Sequence, residues 1–583
     1  MAYLTREAGM ADTTAAPSGG RALFVRQSSG LVREVSVRNA LFYNTAAFIG
    51  ITVAWAPLFY TLAFEPIGKV GFFTSYGLTA ILVGACCVFL GLIFASLATV
   101  MPRSGGDYVF TSRLIPGIGP FLAWVESFTL VFASLAVIAF EIPIVLHNTQ
   151  ISGDIIGIGT GVGFFKRANG WFTSGGTVTG WPGMIAALVV ILLILLVVIQ
   201  PTRRFHRIVT GLGAFGLLSW VVMWIFGLLF IHRASFQANL PKYSGMTAAA
   251  LQKAAVTGGV VGHGFAWSTA VLPFIMSVVL FQYIGFQYSA YIAGEVRGNI
   301  KRGILIGVLG ALFFAVVMNS FYVDSLSDRL GTTNMLGWGI NYWSGLRTPF
   351  GQATALPLAA AVSHPGLWPI WLFVSIAATL WPFLLCPVYI TLISRISLAW
   401  SMDRQVPKWF GEVNERLRAP LNAILTAVGV CVVLAVLQNF ALLPKSIAPP
   451  DGKLNLVSTI WFSILMALFS WVLPGVNAMV SRFSRPDLVR NAPWRKALWA
   501  FGLVWLVFAV FTYWFAGIKP ISDAVGSALK PGQGGVLSYF NNTGITLTIA
   551  LYVVAVIIYI IVAIKNRASG VEMGLLYKEL PPD

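Results

Sequence analysis

Charged residues are scarce in this sequence. Lys, Arg, Asp and Glu together make up only 10% of the 583 residues, whereas hydrophobic residues make up 57%. A soluble globular domain carries about 25% charged residues, so this chain has too few charges to cover a surface that faces water. The composition therefore excludes a soluble globular protein and indicates a chain that is solvated by lipid.

Acidic residues are the scarcer kind of charge. The chain has 20 Asp and Glu residues against 38 Lys and Arg, which gives a net charge of +18. A basic balance can indicate nucleic-acid binding. Here, however, the basic residues lie in short segments between long apolar stretches, as membrane topology requires. We therefore predict a lipid bilayer as the partner of this chain and no nucleic acid.

Cysteine and histidine, the usual metal ligands, are rare as well. The four cysteines lie inside apolar stretches and form no C-x-x-C pair, and the five histidines are scattered without an H-E-x-x-H pattern. This spacing argues against a disulfide framework and predicts no metal site and no cofactor. The scattered histidines also argue against a membrane-embedded enzyme. The sequence lacks a Walker A motif, which disfavours an ATP-driven motor within the chain.

Long apolar stretches fill most of the chain. A helix that crosses a hydrocarbon core of about 30 Å needs about 20 residues. Within lipid the backbone must satisfy its own hydrogen bonds, and no barrel-like alternation is present. We therefore predict an all-α integral membrane protein with about twelve transmembrane helices, at 38–64, 72–100, 117–147, 181–200, 207–232, 268–296, 303–323, 367–399, 420–439, 456–480, 497–517 and 543–564.

The distribution of basic residues predicts the orientation of these helices. Of the 38 lysine and arginine residues, 26 lie at the two ends of the chain or on the same side of the predicted helices as those ends. Because basic residues are enriched on the cytoplasmic side, both termini are expected in the cytoplasm of a multi-pass cell-membrane protein. The long segments 148–180, 233–267 and 324–366 are then external loops.

The predicted spans divide the chain into four parts. Residues 1–30 are rich in Ala, Ser, Thr, Gly and Arg and predict a disordered cytoplasmic tail. Ten of the predicted transmembrane helices lie within 31–480, and two more lie within 481–566. A cytoplasmic C-terminal tail over 567–583 follows.

Two of the predicted helices carry a glycine in mid-span. Gly50 lies in the first helix, within 46–53, and Gly285 lies in the sixth, within 281–287. The first and sixth helices hold matching positions if the core consists of two five-helix halves. Proline- and glycine-rich segments at 116–120 and 364–369 also precede matching helices. Interrupted helices at corresponding positions are typical of transporters with inverted repeats.

Three ordered motifs then carry a family resemblance. They are Met101-Pro-Arg-Ser-Gly-Gly-Asp-Tyr108, the segment Ile284-Gly-Phe-Gln287 with Gly294-Glu-Val-Arg297, and the segment 394–407 followed by Ala419-Pro-Leu-Asn-Ala423. Over residues 31–500 the chain resembles the amino acid–polyamine–organocation (APC) superfamily of transporters. The resemblance implies a five-plus-five inverted-repeat core with broken helices one and six and two peripheral helices.

The resemblance also implies a function and a site. It suggests a secondary active transporter of amino acids or related organic amines, working as a proton-coupled symporter by alternating access. Exchange of such substrates, or a nutrient receptor on a transporter fold, are the alternatives. The substrate would lie between the broken helices, and the expected binding residues are Ala47, Gly50, Ile51, Thr52, Val53, Phe281, Gln282, Tyr283, Ile284 and Gly285.

Two carboxylates, Glu126 and Glu141, lie inside the predicted third helix. Counted from Gly117, Glu126 lies about 13 Å along the helix axis and Glu141 about 36 Å. Because a charge inside lipid is costly, we expect Glu126 to couple proton movement to transport or to hold a substrate amine. The alternative is a structural acceptor that is hydrogen-bonded to another helix. Glu141 is expected at the outer boundary, near the lipid headgroups.

Charged residues at the inner ends of the helices suggest a gate. Glu295 ends the predicted sixth helix, and Arg103 and Arg395 lie on the same side. We expect these three residues to form an ion-pair network that closes the inner side. Boundary charges that anchor the helices are the alternative.

Overall fold

The structure is a computed structural model. It describes residues 31, 33–48, 52–63, 65–174, 177–262, 267–269, 271–443, 453, 463–519, 543–570, 576–578 and 580. The predicted tail 1–30 and two predicted site residues, Gly50 and Ile51, lie outside the described residues.

Helices make up nearly all of the regular structure in the described residues. The α-helices are α1 (Val37–Phe48), α2 (Thr52–Phe59), α3 (Ser75–Val100), α4 (Asp107–Leu114), α5 (Gly119–Thr160), α6 (Gly180–Val198), α7 (Thr202–Phe230), α8 (Arg233–Ser244), α9 (Ala248–Thr257), α10 (Leu272–Tyr283), α11 (Ile300–Val317), α12 (Val323–Leu330), α13 (Thr332–Trp343), α14 (Leu356–Ser363), α15 (Trp368–Met402), α16 (Leu421–Asn439), α17 (Leu468–Ser484), α18 (Leu498–Tyr513) and α19 (Thr543–Ala568). Short antiparallel strand pairs join β1 (Lys69–Val70) to β2 (Phe73–Thr74), β3 (Thr173–Ser174) to β4 (Thr177–Val178), and β5 (Val413–Asn414) to β6 (Ala419–Pro420).

Ten helices in the described part are long and apolar enough to cross a membrane. They are Ser75–Val100, Gly119–Thr160, Gly180–Val198, Thr202–Phe230, Ile300–Leu330, Pro365–Met402, Leu421–Asn439, Ser463–Ser484, Leu498–Ala516 and Leu547–Ala568. Each coincides with one of the predicted spans. The remaining two predictions, 38–64 and 268–296, contain the shorter helices α1, α2 and α10. The predicted all-α membrane fold is confirmed.

The helices differ in how much of their surface the protein covers. In the most apolar stretch of α5, 94% of the residues are buried, whereas only 11% are buried in that of α19. Large apolar side chains such as Leu192, Ile225 and Ile561 are at least half exposed. Such a surface is stable only against lipid, so α19 lies at the periphery and α5 at the centre.

Helices α5 and α15 form the central pair of the bundle. Asn148 donates a hydrogen bond of 3.0 Å to the Ala378 carbonyl, and Trp400 donates one of 2.7 Å to the Ser127 hydroxyl. These bonds join the two helices along most of their length and satisfy polar groups that lie inside the bundle.

Helix α5 is longer than the sequence predicted. It continues to Thr160 and ends at Gly161, whose φ of +76° suits glycine. The prediction of an external loop from residue 148 onward is therefore wrong for 148–160. The polar residues there face the protein: Gln150 accepts hydrogen bonds from Phe172 and Thr173, and Gln352 donates one of 2.7 Å to Asp154.

The other two predicted external loops are also largely helical. The segment 233–267 contains α8 and α9, and the segment 324–366 contains α12, α13 and α14. Their helices are short and contain both polar and apolar residues, so their patterns do not resemble a transmembrane span.

The predicted sixth helix is interrupted. Helix α10 ends at Tyr283, Ile284 has an extended ψ of 128°, and Gly285 has a φ of +103°. Short 3-10 turns at Tyr288–Tyr291 and Ala293–Glu295 then replace the α-helix. In the first predicted helix, α1 ends at Phe48 and α2 begins at Thr52. The five-plus-five inverted repeat stays a prediction.

Candidate substrate site at the interruption of helix six

The interruption after α10 packs directly on the end of α1. A Cβ atom on Gly285 would lie only 2.5 Å from the Cβ of Ala47 and 3.2 Å from the Ala47 carbonyl oxygen. The positive φ of Gly285 is also strained for any other residue. The sequence therefore needs glycine here for two reasons, and the structure brings Ala47 and Gly285 together as predicted site residues.

A second contact fixes the same junction. Asn44 of α1 donates a hydrogen bond of 3.0 Å to the Ser289 hydroxyl, and the Ser289 amide donates one of 2.6 Å to the Asn44 side-chain oxygen. Both side chains are fully buried. The reciprocal pair replaces helical hydrogen bonds lost at the interruption and holds the two segments in register. The sequence analysis missed Asn44, although an Asn deep in an apolar span was an available signal.

Aromatic rings line the junction on the side of α2 and α5. The Phe281 ring lies 6.4 Å from that of Phe59 and 6.3 Å from that of Phe140, measured between ring centroids. These distances are within the range of favourable aromatic pairs. Phe281 thus forms an apolar surface together with Phe59 of α2 and Phe140 of α5.

The other predicted site residues have different positions. The Tyr283 hydroxyl donates to the Ala80 carbonyl of α3 at 2.8 Å, so its polar end is already satisfied within the fold. Gln282 and Ile284 are buried beside it. Thr52 and Val53 are the first two residues of α2.

Trp55 of α2 packs against α5 beside the junction. Its indole donates to the Asn148 side chain at 2.7 Å, and its ring lies 4.9 Å from that of His147. His147 in turn accepts a hydrogen bond of 3.1 Å from the Ala353 amide. The bonds tie α2 to α5 and to the segment before α14.

A buried ion pair joins α15 to the segment that follows the interruption. Arg395 of α15 donates to both carboxylate oxygens of Glu295, at 2.7 and 3.0 Å, and both residues are nearly completely buried. Arg103 donates to the Pro102 carbonyl at 3.3 Å. The structure thus brings together Glu295 and Arg395 of the predicted gate.

A second buried ion pair was missed by the sequence analysis. Arg113 donates to both oxygens of Asp403 at 2.6 and 2.7 Å, and Tyr108 donates to the same carboxylate at 2.9 Å. The Tyr577 ring of the C-terminal segment lies 5.0 Å from the Arg113 guanidinium. The partners are 290 or more residues apart in the chain, so no local pattern indicates them.

Glu126 is not an isolated carboxylate. The Thr111 hydroxyl donates to it at 2.5 Å, and Asn477 donates to Thr111 at 2.8 Å. The Glu126 side chain also contacts that of Asp107, which accepts a hydrogen bond of 2.5 Å from Tyr291. Two buried carboxyl groups in contact are not both ionised, because like charges repel strongly in an apolar environment. Glu126 is thus hydrogen-bonded to α4 through Thr111.

A known protein family matches most of the chain. Residues 40–529 match the family described as amino acid permease. The chain belongs to the amino acid permease family. This membership confirms the resemblance to the APC superfamily that the three sequence motifs indicated.

Two relatives in this family have described activities. The chain is 23% identical to a branched-chain amino acid permease of Lactococcus lactis subsp. cremoris over 451 residues, which cover 76% of the chain and 81% of that relative. It is 20% identical to an aspartate-proton symporter of Bacillus subtilis over 452 residues, covering 77% of the chain and 74% of that relative. Both relatives are transporters and not enzymes by their names, which supports amino acid transport.

Proposed function

We propose that the chain is a secondary active transporter that carries neutral amino acids with apolar side chains together with protons. The observation that carries this proposal is the contact of Gly285 with Ala47, which places the end of α10 beside the end of α1 inside the bundle. The substrate would bind at this junction, between α10 and the start of α2.

The two helix ends provide complementary partial charges. The C-terminal end of a helix has unpaired carbonyl groups and a partial negative charge, and the N-terminal end has unpaired amides and a partial positive charge. The end of α10 at Tyr283 therefore suits the ammonium group of an amino acid. The beginning of α2 at Thr52 suits its carboxylate.

The aromatic surface supports a neutral, apolar side chain. Phe59, Phe140 and Phe281 present rings at the junction. Rings of this kind favour aliphatic groups, whereas an aspartate side chain would bring an unpaired negative charge against them. The name of the Lactococcus relative, a branched-chain amino acid permease, points in the same direction.

The closed layers on either side of the junction support alternating access. Trp55 with His147 closes one side, and Glu295 with Arg395 closes the other. In the proposed cycle these layers open in turn, so that the substrate never has a continuous path. We further propose that the protein lies in the cell membrane with both termini in the cytoplasm.

Uptake by purified protein in proteoliposomes tests the proposal. Radiolabelled leucine, isoleucine and valine should enter vesicles faster than aspartate, and an external pH below the internal pH should accelerate entry. Leucine entry only into leucine-loaded vesicles would instead indicate an exchanger. Leucine binding without any entry would favour a receptor, and neither binding nor entry of any of the four would contradict an amino acid site of this kind.

A further inference from the structure

Glu141 is an unusual residue in the centre of the bundle. It lies midway along α5, its exposed fraction is 0%, and neither carboxylate oxygen has a hydrogen-bond partner among the described residues. The prediction that it reaches the lipid headgroups was wrong. Helix α5 extends to Thr160, and the protein surrounds Glu141 on all sides.

Among the described residues, no basic side chain faces Glu141. The titratable groups that face it are the Cys386 thiol and the Tyr389 hydroxyl, both on α15. Cys431 of α16 faces Cys386 from the next helix. In the described part of the chain, no basic side chain is paired with Glu141.

Charge burial determines the state of this carboxyl group. An ionised carboxylate without a partner is very costly in an apolar interior, so in this closed arrangement the group holds a proton. Neither a structural ion pair nor a hydrogen-bond network explains why an acid is placed here. Leu, Met or Gln would fill a similar volume at a lower energetic cost.

The location connects Glu141 to the substrate junction. Its neighbour Phe140 lies against Phe281, and Tyr389 lies with its ring 5.2 Å from that of Tyr288, which follows the interruption. A movement of this segment relative to α5 and α15 would therefore change the surroundings of Glu141 directly. The same movement would open or close the substrate site.

Glu126 differs from Glu141 because its side chain accepts a hydrogen bond. One of its oxygens accepts a hydrogen bond from Thr111, and Asn477 extends this network to α17. The side chain also contacts Asp107, and its other oxygen has no hydrogen-bond partner among the described residues. These bonds hold Glu126 in place and link α4, α5 and α17. Such a network stabilises the packing of helices, and each of its members has a structural reason to be polar.

We propose that Glu141 carries the proton that is coupled to amino acid transport, an inference that rests on the proposed function. Glu141 binds a proton when water reaches it from outside, keeps the proton while the site is closed, and releases it when the inner side opens. The proton moves from water onto a Glu141 oxygen and back to water, so no other reactant is needed.

Proteoliposomes allow coupling and substrate movement to be measured separately. We compare the wild type with Glu141→Gln, Glu141→Leu and the matched control Glu126→Gln. Radiolabelled leucine reports accumulation under an inward pH gradient and exchange against internal leucine at equal pH, and internal pyranine reports proton entry. Glu141→Leu leaves no unpartnered polar atom, so it provides a folded variant if Glu141→Gln does not fold.

The proposal predicts that the Glu141 variants lose proton-driven accumulation of leucine but keep leucine exchange. An inward pH gradient of about one unit can sustain about tenfold accumulation of leucine, and both Glu141 variants should lose this accumulation and the leucine-dependent proton entry. Exchange should stay within about twofold of the wild type, since the substrate contacts remain. Wild-type entry should fall as external pH rises, whereas entry by the Glu141 variants should not change with pH. Glu126→Gln should retain proton entry.

Other outcomes would overturn the proposal in distinguishable ways. If wild type accumulates leucine on a pH gradient and the Glu141 variants do so equally, another group carries the proton. Loss in Glu126→Gln alone would identify Glu126 as that group. Loss of exchange in folded Glu141 variants would make Glu141 a substrate contact. Absence of any amino acid movement by the wild type would contradict the proposed function itself.

Discussion

Gly285 and Ala47 lie so close together that the space between them cannot accept one further carbon atom. The 2.5 Å separation from a Cβ on Gly285 is far below van der Waals contact, and the neighbouring Ala47 carbonyl belongs to the backbone of α1 and cannot easily move. Small residues at such a contact allow two transmembrane segments to approach closely. This contact determines the shape of the proposed substrate site.

Gly285→Ala should therefore abolish transport. The variant suffers both the contact with Ala47 and a φ of +103° that alanine rarely adopts, and we expect leucine entry to fall by at least about tenfold. Gly429→Ala in α16 is the matched control, because a Cβ there meets nothing within 4 Å. Ala47→Gly added to Gly285→Ala should restore little, since the φ strain remains. Normal uptake by Gly285→Ala would contradict the assigned junction.

Phe281→Ala should change substrate preference. Removal of the ring leaves an empty space between Phe59 and Phe140. Valine and leucine should therefore bind several-fold more weakly, and larger side chains such as that of phenylalanine should bind relatively better. Calorimetric titration of purified protein measures these affinities. Phe483→Ala serves as the control, because Phe483 is 80% exposed. Unchanged affinities in Phe281→Ala would place the substrate side chain elsewhere.

The Glu295–Arg395 pair should be needed for stability as well as for closure. Glu295→Gln leaves the Arg395 charge buried without a full partner, which should destabilise the protein by about 3–5 kcal/mol. The apparent melting temperature in detergent checks this. The exposed pair of Arg485 and Asp487, where a hydrogen bond from Arg485 lowers the pKa of Asp487, is the control, and Asp487→Asn should have little effect. Equal melting temperatures for the two variants would contradict a structural role for the buried pair.

Tyr577 should hold the C-terminal segment against the transmembrane bundle. Gln405 donates a hydrogen bond of 2.6 Å to its hydroxyl, and its ring covers Arg113. Tyr577→Phe loses only the hydrogen bond and should cost about 1 kcal/mol, whereas Tyr577→Ala also loses the cation–π contact and should cost more. Thermal unfolding of both variants measures the difference. A larger loss in Tyr577→Phe than in Tyr577→Ala would contradict this assignment.

The proposed orientation can be tested with single cysteines. Cys86 is partly exposed and the other three cysteines are buried, so all four are first replaced. Leu346→Cys, at a residue 62% exposed in a predicted external segment, should react with a membrane-impermeant maleimide in intact cells. Glu415→Cys, on the predicted inner side, should react only after permeabilisation. The reverse pattern would show that the protein is inverted.

Much of the fold could be predicted from the sequence because lipid imposes strong constraints. Apolar length and the scarcity of charge indicate the ten long spans that the structure contains. Gly285 could be recognised because glycine lies there among polar and aromatic residues, at a position in the predicted sixth helix that matches Gly50 in the first. Its contact with Ala47 depends on packing and could only be anticipated through the family resemblance.

Other features depend on contacts between distant parts of the chain. Asp154 and Gln150 look like loop residues, yet they extend α5 because their polar groups bond to segments that fold back on them. The burial of Glu141 could not be predicted, because it results from the packing of α5 against other helices. The contact of Glu126 with Asp107 could not be predicted, because Asp107 lies in a segment that the sequence analysis did not include in any transmembrane helix.

Leucine accumulation driven only by a pH gradient would show whether this chain couples amino acid transport to protons. Wild-type protein is reconstituted in vesicles with an acidic exterior and equal potassium on both sides with valinomycin, and internal radiolabelled leucine is followed over time. Proton-coupled transport predicts a transient rise of internal leucine above the external concentration, which a protonophore abolishes. Leucine entry that only reaches the external concentration, and that proceeds equally with and without the pH gradient, would contradict proton-driven transport by this chain.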